Sequence, residues 1–174
     1  MSWRINFALV FLLALSATAA NAATCYVKAD AAGTNSGASW ANAFTNPQSA
    51  FANLGCTTVF IARGTYKPTQ TTDRTISFSI KPGVVVYGGF AGTEALISDR
   101  FLPANPTVLS GDIGVAGDSS DNSYHVVVFD GTTASGTITT GNLLSDVTIR
   151  DGNANGAGAN DGSLRMRRPA QCRK

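Results

Sequence analysis

Long apolar runs and histidine are scarce in this chain of 174 residues, and basic residues do not cluster within residues 23–162. Its longest apolar run, Phe7 to Leu15, is shorter than the roughly 20 residues that cross a bilayer, which argues against a membrane-spanning helix. The only histidine, His125, has no serine or cysteine partner placed to make a catalytic triad, and we interpret it as a strand-entry residue. Residues 23–162 carry seven basic and eleven acidic side chains, a net of −4, with no basic stripe, which excludes nucleic-acid binding.

The N-terminus has the layout of a secretory signal peptide. Arg4 precedes the apolar run, and the small residues Ala20-Asn21-Ala22 follow it as a cleavage site. We therefore expect residues 1–22 to be removed and the mature chain to be exported without a transmembrane span. Because an exported protein meets an oxidising compartment, we also expect a disulfide between Cys25 and Cys56.

Short β-branched runs closed by glycine recur along the chain. The closing glycines, Gly64, Gly88, Gly111, Gly131 and Gly152, are 24, 23, 20 and 21 residues apart. A period of this length with glycine corners predicts an all-β parallel β-helix, in which each repeat forms one coil and stacks its strand on the next. About five such coils fit into residues 57–162.

Residues 23–56 precede the first of these coils, and we interpret them as an N-terminal cap. Asn46 followed by Pro47 is typical of a helix start, and it predicts a short helix from Pro47 to Leu54. Such an element would cover the open first coil and its unpaired strand edge. Trp40, Phe44 and Phe51 have the aromatic faces that stack on sugars, but their helical spacing favours a core or cap role.

The last residues, 163–174, break the pattern. They are basic, lack strand periodicity and contain the leftover Cys172. We interpret them as the end of a truncated or frame-shifted solenoid, the alternative being a basic tail that binds an anionic surface. Without a C-terminal cap, the coil around Val147 to Ile149 is expected to expose a strand edge that favours self-association.

Four stretches are specific enough to indicate a family, namely Gly64–Pro68, Gly83–Glu94, Asn105–Ile113 and Asp121–Val127. They resemble the N-terminal part of exported bacterial proteins with a right-handed parallel β-helix. These proteins belong to the pectin-lyase-like superfamily, and many carry polymorphic outer-membrane-protein repeats or are large surface proteins. The resemblance covers residues 26–162 and implies a right-handed β-helix with a short N-terminal capping helix. The same coil carries lyases, hydrolases, adhesins and tailspikes, so the resemblance leaves the function open.

Two Asp-Gly pairs are the best candidate for catalysis. Asp130 and Asp151 occupy the same phase of successive predicted coils, so their carboxylates are expected to stack at about 4.8 Å. Two carboxylates at that spacing suit a retaining glycosidase or a calcium site, whereas Asp-Gly is also the favoured turn dipeptide at a coil corner. Arg150, the nearest candidate for a lyase base, is expected to point to the opposite face from Asp151.

The densest acidic cluster lies in a glycine-containing loop and comprises Asp112, Asp118, Asp121 and Asn122. Oxygen ligands on a flexible loop suit calcium, although the spacing matches neither the EF-hand nor the nine-residue calcium repeat. A loop with a purely structural role is the alternative. No other cofactor is indicated.

The sequence as a whole favours an exported, non-catalytic β-helix segment of an adhesin-like or passenger-like surface protein. Its expected location is the extracellular medium, the cell surface or outer membrane, or the periplasm. Its expected partners are surface polysaccharides or host-cell ligands. A fragment of a polysaccharide lyase or glycoside hydrolase, and a carbohydrate-binding module, remain as alternatives.

Overall fold

The computed structural model describes residues 23–132 and 136–156. The predicted signal peptide (1–22) and basic tail (163–174, with Cys172) lie outside these residues. In chain order the elements are β1 (Ala23–Val27), α1 (Pro47–Ala52), β2 (Cys56–Ala62), β3 (Gly64–Tyr66), β4 (Phe78–Ile80), β5 (Val85–Phe90), β6 (Thr107–Ser110), β7 (Val127–Phe129), β8 (Leu143–Ser145) and β9 (Thr148–Arg150), with 3-10 turns at Ile97–Asp99 and Leu102–Ala104.

The described strands form three sheets, and within each sheet every pair of neighbouring strands is parallel. Sheet A has the order β1-β2-β5-β8, sheet B the order β3-β6-β9, and sheet C pairs β4 with β7. From β2 onward the chain visits A, B and C in that rotation, twice in full, and then adds β8 to A and β9 to B. The protein is therefore all-β with parallel sheets and little helix.

The five glycine-closed runs do not occupy equivalent positions. Two of them lie in sheet A, two in sheet B and one in sheet C. Residues that pair across neighbouring strands are separated by 27 positions for Val59 and Val86 but by 58 for Val86 and Leu144. The expectation of about five coils at a constant interval is therefore wrong, because the glycines mark the ends of strands that belong to different sheets.

The hydrophobic core lies between the three sheets and draws side chains from each. Sheet A contributes Val59 and Val86, sheet B contributes Leu109, and sheet C contributes Phe78 and Ile80, all of them 0% exposed. Since burying one such side chain stabilises a fold by roughly 1.5–3 kcal/mol, this shared cluster is what holds the sheets together.

Residues 28–55, between β1 and β2, cover the free strand edges at the N-terminal end; β1, which lies within the predicted cap segment 23–56, is instead the first strand of sheet A. Phe44 is hydrogen-bonded to the outer edge of β1. Its N–H donates to Tyr26 O at 2.9 Å, and its carbonyl oxygen accepts from Lys28 N at 2.8 Å. Helix α1 packs beside β4, where Gln48 Oε1 accepts a hydrogen bond from Ser79 N at 2.8 Å. These hydrogen bonds satisfy backbone N–H and C=O groups at the strand edges, which could otherwise pair with a strand of another chain.

The predicted helix start is confirmed, and the helix is shorter than expected. Asn46 is the N-cap and accepts a hydrogen bond from Gln48 N, with Pro47 in the first turn. The helix ends at Ala52 because Asn53 is extended. Phe51 is buried and meets the Phe78 ring edge-to-face at 6.2 Å, which fits the expected core role.

The predicted disulfide between Cys25 and Cys56 is present, with the two Cα atoms 5.5 Å apart. It joins β1 to the start of β2, and both cysteines are buried. Over residues 23–132 and 136–156, no helix is long and apolar enough to cross a membrane.

Candidate functional site

Asp130 and Asp151 lie on different sheets. Asp130 follows β7 of sheet C, whereas Asp151 follows β9 of sheet B. The expectation that their carboxylates stack on successive coils is therefore wrong. Its premise was the glycine interval, which does not place the two Asp-Gly pairs at equivalent positions.

Each of these carboxylates is bound by nearby donors. Asp130 Oδ1 accepts hydrogen bonds from the backbone N–H (2.9 Å) and the hydroxyl (2.6 Å) of Thr132, and these bonds hold the pKa of Asp130 below its ordinary value. Asp151 Oδ2 accepts a hydrogen bond from Ser110 Oγ at 2.6 Å. The Asp130 bonds are those of a local turn, whereas the Asp151 bond is a long-range contact that joins the end of β6 to the residue after β9.

Arg150 does not point away from Asp151. Its Nε lies 3.3 Å from Asp151 Oδ2, because Asp151 leaves the strand with a φ of 60° and its side chain swings back. The backbone of Asp151 also runs against Gly111, where an added Cβ would meet the Asp151 carbonyl oxygen. Glycine is required at this contact between β6 and β9.

The acidic loop after β6 uses its carboxylates to hold its own backbone. Asp112 Oδ1 accepts from Gly117 N at 3.0 Å, and Asp121 Oδ2 accepts from Val115 N at 2.7 Å. Asp118 accepts from the Ser120 side chain and backbone, which lowers the pKa of Asp118. Across the described ranges, no three His, Cys, Asp or Glu side chains are grouped so as to hold a metal ion.

Three oxygens at the end of that loop are buried without a hydrogen-bond partner. They are Asp121 Oδ1, Asn122 Oδ1 and Ser123 Oγ, and they belong to consecutive residues. Asn122 is 6% exposed and Ser123 is 0% exposed. An unpaired buried oxygen costs about 1–3 kcal/mol, so this short segment carries an unusual concentration of unmet acceptors.

Glu94 organises the loop that follows β5. Its carboxylate accepts backbone hydrogen bonds from Ala91 (2.6 Å), Gly92 (2.9 Å) and Thr93 (2.9 Å). Partial burial opposes ionisation of Glu94, but the backbone donors outweigh it and hold its pKa below the ordinary value. Trp40 Nε1 donates to the Glu94 carbonyl at 2.8 Å and ties this loop to the N-terminal cap.

A cavity of about 330 Å³ opens beside the Glu94 loop. We call it the Lys28–Arg63 pocket; its lining residues are Lys28, Ala29, Asp30, Ala62, Arg63, Ala91 and Thr93. Lys28 Nζ lies 3.5 Å from Asp30 Oδ1 at its rim. Sequence reasoning missed this pocket because its residues follow three strands that are far apart in the chain; the only local signal was the glycine-rich stretch that ends at Glu94.

The aromatic residues considered for sugar stacking are packed against other rings or buried. The Trp40 ring lies 4.8 Å from that of Tyr26 and 5.4 Å from that of Phe90, while Phe44 is 8% exposed. His125 is half-buried two residues before β7. Comparison of the chain with protein-family models, curated proteins and solved structures gave no match.

Proposed function

We propose that the three sheets are the walls of a right-handed parallel β-helix and that the chain is an exported, non-catalytic segment of an adhesin-like or passenger-like surface protein. The single observation that carries this proposal is the rotation of the chain through three sheets, A, B and C, with parallel pairing throughout. In a β-helix, each turn of the chain adds one strand to each wall, parallel to the strand of the preceding turn. The strands then appear along the chain in the order A, B, C, A, B, C.

Two further observations support a structural role in an exported protein. The buried Cys25–Cys56 disulfide is of a kind that persists in oxidising compartments. Of the best catalytic candidates, Asp130 accepts a hydrogen bond from Thr132, two residues on, which suits a turn, and Asp151 accepts one from Ser110, which joins the ends of β6 and β9. The partners that this proposal implies are surface polysaccharides or host-cell ligands.

A calcium-binding loop is a second proposal, and the unpaired oxygens favour it. Carboxylate, amide and hydroxyl oxygens from Asp121, Asn122 and Ser123 are the hard ligands that Ca²⁺ takes. Asp112 and Asp118 belong to the same loop. Thermal unfolding of the purified protein in calcium chloride and in a chelator tests this: a calcium-dependent rise in Tm supports the site, and identical curves overturn it.

Fractionation of cells that express the full chain with a C-terminal epitope tag tests the main proposal. We expect the mature protein at the cell surface or in the medium, beginning at Ala23, and increased adhesion of the expressing cells to polysaccharide-coated surfaces. The purified chain should release no unsaturated uronate and no reducing sugar from pectin-type polymers. Activity lost in Asp130→Asn or Asp151→Asn would instead establish the lyase or hydrolase alternative.

A further inference from the structure

We propose that Asn155 is a site of spontaneous deamidation, at which water converts the side-chain amide into a carboxylate that pairs with Arg74. The residue that follows Asn155, the contact that its side chain makes and its exposed position together support this assignment. The reaction is independent of the proposed role as a surface protein.

Asn155 is followed by Gly156, and this is the one Asn-Gly pair among the 174 residues. In deamidation, the backbone nitrogen of the following residue attacks the asparagine Cγ, and a side chain on that residue hinders the approach. Glycine has no Cβ and lets the backbone come close. Residues 151–156 belong to no helix or strand, so the Gly156 N–H is not held in a strand ladder. Both features favour attack at Asn155.

The side-chain carbonyl of Asn155 is held by a cation. Arg74 Nη2 donates to Asn155 Oδ1 at 2.6 Å, which is shorter than the roughly 2.9 Å of an ordinary N–H···O bond. Because a guanidinium has only donors, the atom that faces it must be the oxygen, and the amide nitrogen remains as the leaving group. A charge-assisted hydrogen bond draws electrons from Cγ and makes it more electrophilic. Arg74 therefore activates the carbon that Gly156 attacks.

The reaction needs only water and hydroxide as co-reactants. Hydroxide takes the proton of the Gly156 backbone nitrogen, which then forms a bond to Asn155 Cγ, and negative charge develops on Oδ1. Arg74 is placed to stabilise this charge, as an oxyanion donor does. The Cγ–Nδ2 bond then breaks, the nitrogen leaves as ammonia after taking a proton from water, and a five-membered succinimide remains. Water opens this ring at either carbonyl to give aspartate or isoaspartate, with no oxidation or reduction.

The product changes the charge at a junction of distant chain segments. Arg74 also donates to Asn122 O at 2.7 Å and to Asn153 O at 3.1 Å. Within residues 23–132 and 136–156, no acidic side chain forms an ion pair with Arg74. Deamidation to aspartate therefore gives this arginine a carboxylate partner, and the junction becomes more stable as the protein ages.

Incubation of the purified mature protein in mildly alkaline buffer, followed by peptide mass spectrometry, tests the site. The tryptic peptide that contains Asn155 should gain the mass that marks exchange of an amide for an acid, and fragmentation should place the gain at Asn155. Asn153, which is followed by Ala154, is the internal control and should react severalfold more slowly. Gly156→Ala should slow the reaction at Asn155 severalfold and leave Asn153 unchanged.

Two further substitutions test the role of Arg74. Arg74→Met should slow deamidation at Asn155 about tenfold, less than the roughly 100-fold effect of a buried oxyanion donor, because Asn155 is exposed. Asn155→Asp, which mimics the product, should raise the Tm by about 1–3 °C, as expected for one exposed ion pair. The same substitution in the Arg74→Met background should leave the Tm unchanged.

Three results would overturn the proposal. Equal mass gain at Asn155 and Asn153 would show that Asn155 is not a preferred site. A rate in folded Arg74→Met equal to or above that of the wild type would show that Arg74 does not activate the amide. A Tm that Asn155→Asp lowers or leaves unchanged would show that the carboxylate does not pair with Arg74. If Arg74→Met does not fold, Arg74→Gln, which keeps a neutral amide donor, decides in its place and should also react more slowly than the wild type.

Discussion

The guanidinium of Arg74 lies 4.2 Å from the centroid of the Tyr124 ring, and it joins parts of the chain that are far apart in sequence. Its Nε donates to Asn122 O at 2.7 Å, and its Nη2 donates to Asn153 O (3.1 Å) and to Asn155 Oδ1 (2.6 Å). One side chain therefore links the loop before β4, the loop before β7 and the segment after β9.

Arg74→Met should destabilise the protein by about 2–4 kcal/mol, because it removes a cation–π contact and leaves backbone carbonyls without their donor. Chemical denaturation followed by circular dichroism measures the change. Arg150→Met, at a side chain that is 56% exposed, is the matched control and should cost less than about 1 kcal/mol. Equal changes in the free energy of unfolding for the two substitutions would contradict the prediction, because the Arg74 contacts would then stabilise the fold no more than those of an exposed arginine.

Gly111→Ala should destabilise the protein severely, by more than about 3 kcal/mol, since the new methyl group meets the backbone of Asp151 and the two strands must separate. Gly131→Ala is the control, because a Cβ there meets only Ile138, at 3.4 Å from its Cγ1. Thermal melts of both variants make the comparison. Similar melting temperatures would mean that β6 and β9 are not stacked as described.

Removal of the disulfide in Cys25→Ser/Cys56→Ser should lower the free energy of unfolding by about 3–4 kcal/mol, as expected for a cross-link that closes a loop of 31 residues. Urea unfolding of the oxidised protein and of the variant gives this difference. Peptide mapping without reductant should recover Cys25 and Cys56 in one linked pair, and finding both thiols free in exported protein would contradict it.

Burial raises the pKa of Tyr66 to about 12, and its hydroxyl donates a hydrogen bond to Ala62 O at 3.0 Å, which also favours the neutral form. A tyrosine whose folded pKa exceeds the unfolded value of about 10 stabilises the fold below that pH. This contribution should be lost as pH rises from about 10 towards 12. Absorbance titration should show a late ionisation near pH 12 that Tyr66→Phe abolishes and Tyr26→Phe leaves in place.

Apolar side chains are exposed on the last strands of all three sheets. The exposed fractions are 38% for Val128, 40% for Phe129, 42% for Leu143 and 49% for Ile149. We expect concentration-dependent self-association through this surface, which Phe129→Lys and Ile149→Lys should weaken in sedimentation velocity. Leu54→Lys, at a side chain that is 78% exposed near α1, should leave association unchanged. A monomer at all concentrations would contradict the prediction.

Local chemistry made part of the fold predictable. The N-cap at Asn46, the proline after it and the apolar spacing through Phe51 are short-range signals, and the helix forms there. The all-β character followed from β-branched runs and turn residues. The Cys25–Cys56 pairing followed from counting cysteines in a chain that was expected to be exported.

Sheet membership was not predictable in the same way. A strand that ends in glycine has the same sequence pattern in each of the three sheets. The regular interval between the glycines therefore suggested that all five runs stack in one sheet, whereas they are distributed over three sheets. The loops between paired strands also differ greatly in length, which hides the true period. The Lys28–Arg63 pocket was missed for a related reason, because its cations become neighbours only after β1 pairs with β2.

The direction of strand pairing also bears on the order in which the chain can fold. Apart from β1, β3 and β4, which begin the three sheets, each described strand pairs with one that precedes it in the chain: β2 with β1, β5 with β2, β6 with β3, β7 with β4, β8 with β5 and β9 with β6. A chain that emerges from the ribosome with its N-terminus first can therefore add each of these six strands to an edge that already exists. Because β3 and β4 gain a strand partner only when β6 and β7 follow, sheets B and C form later than sheet A.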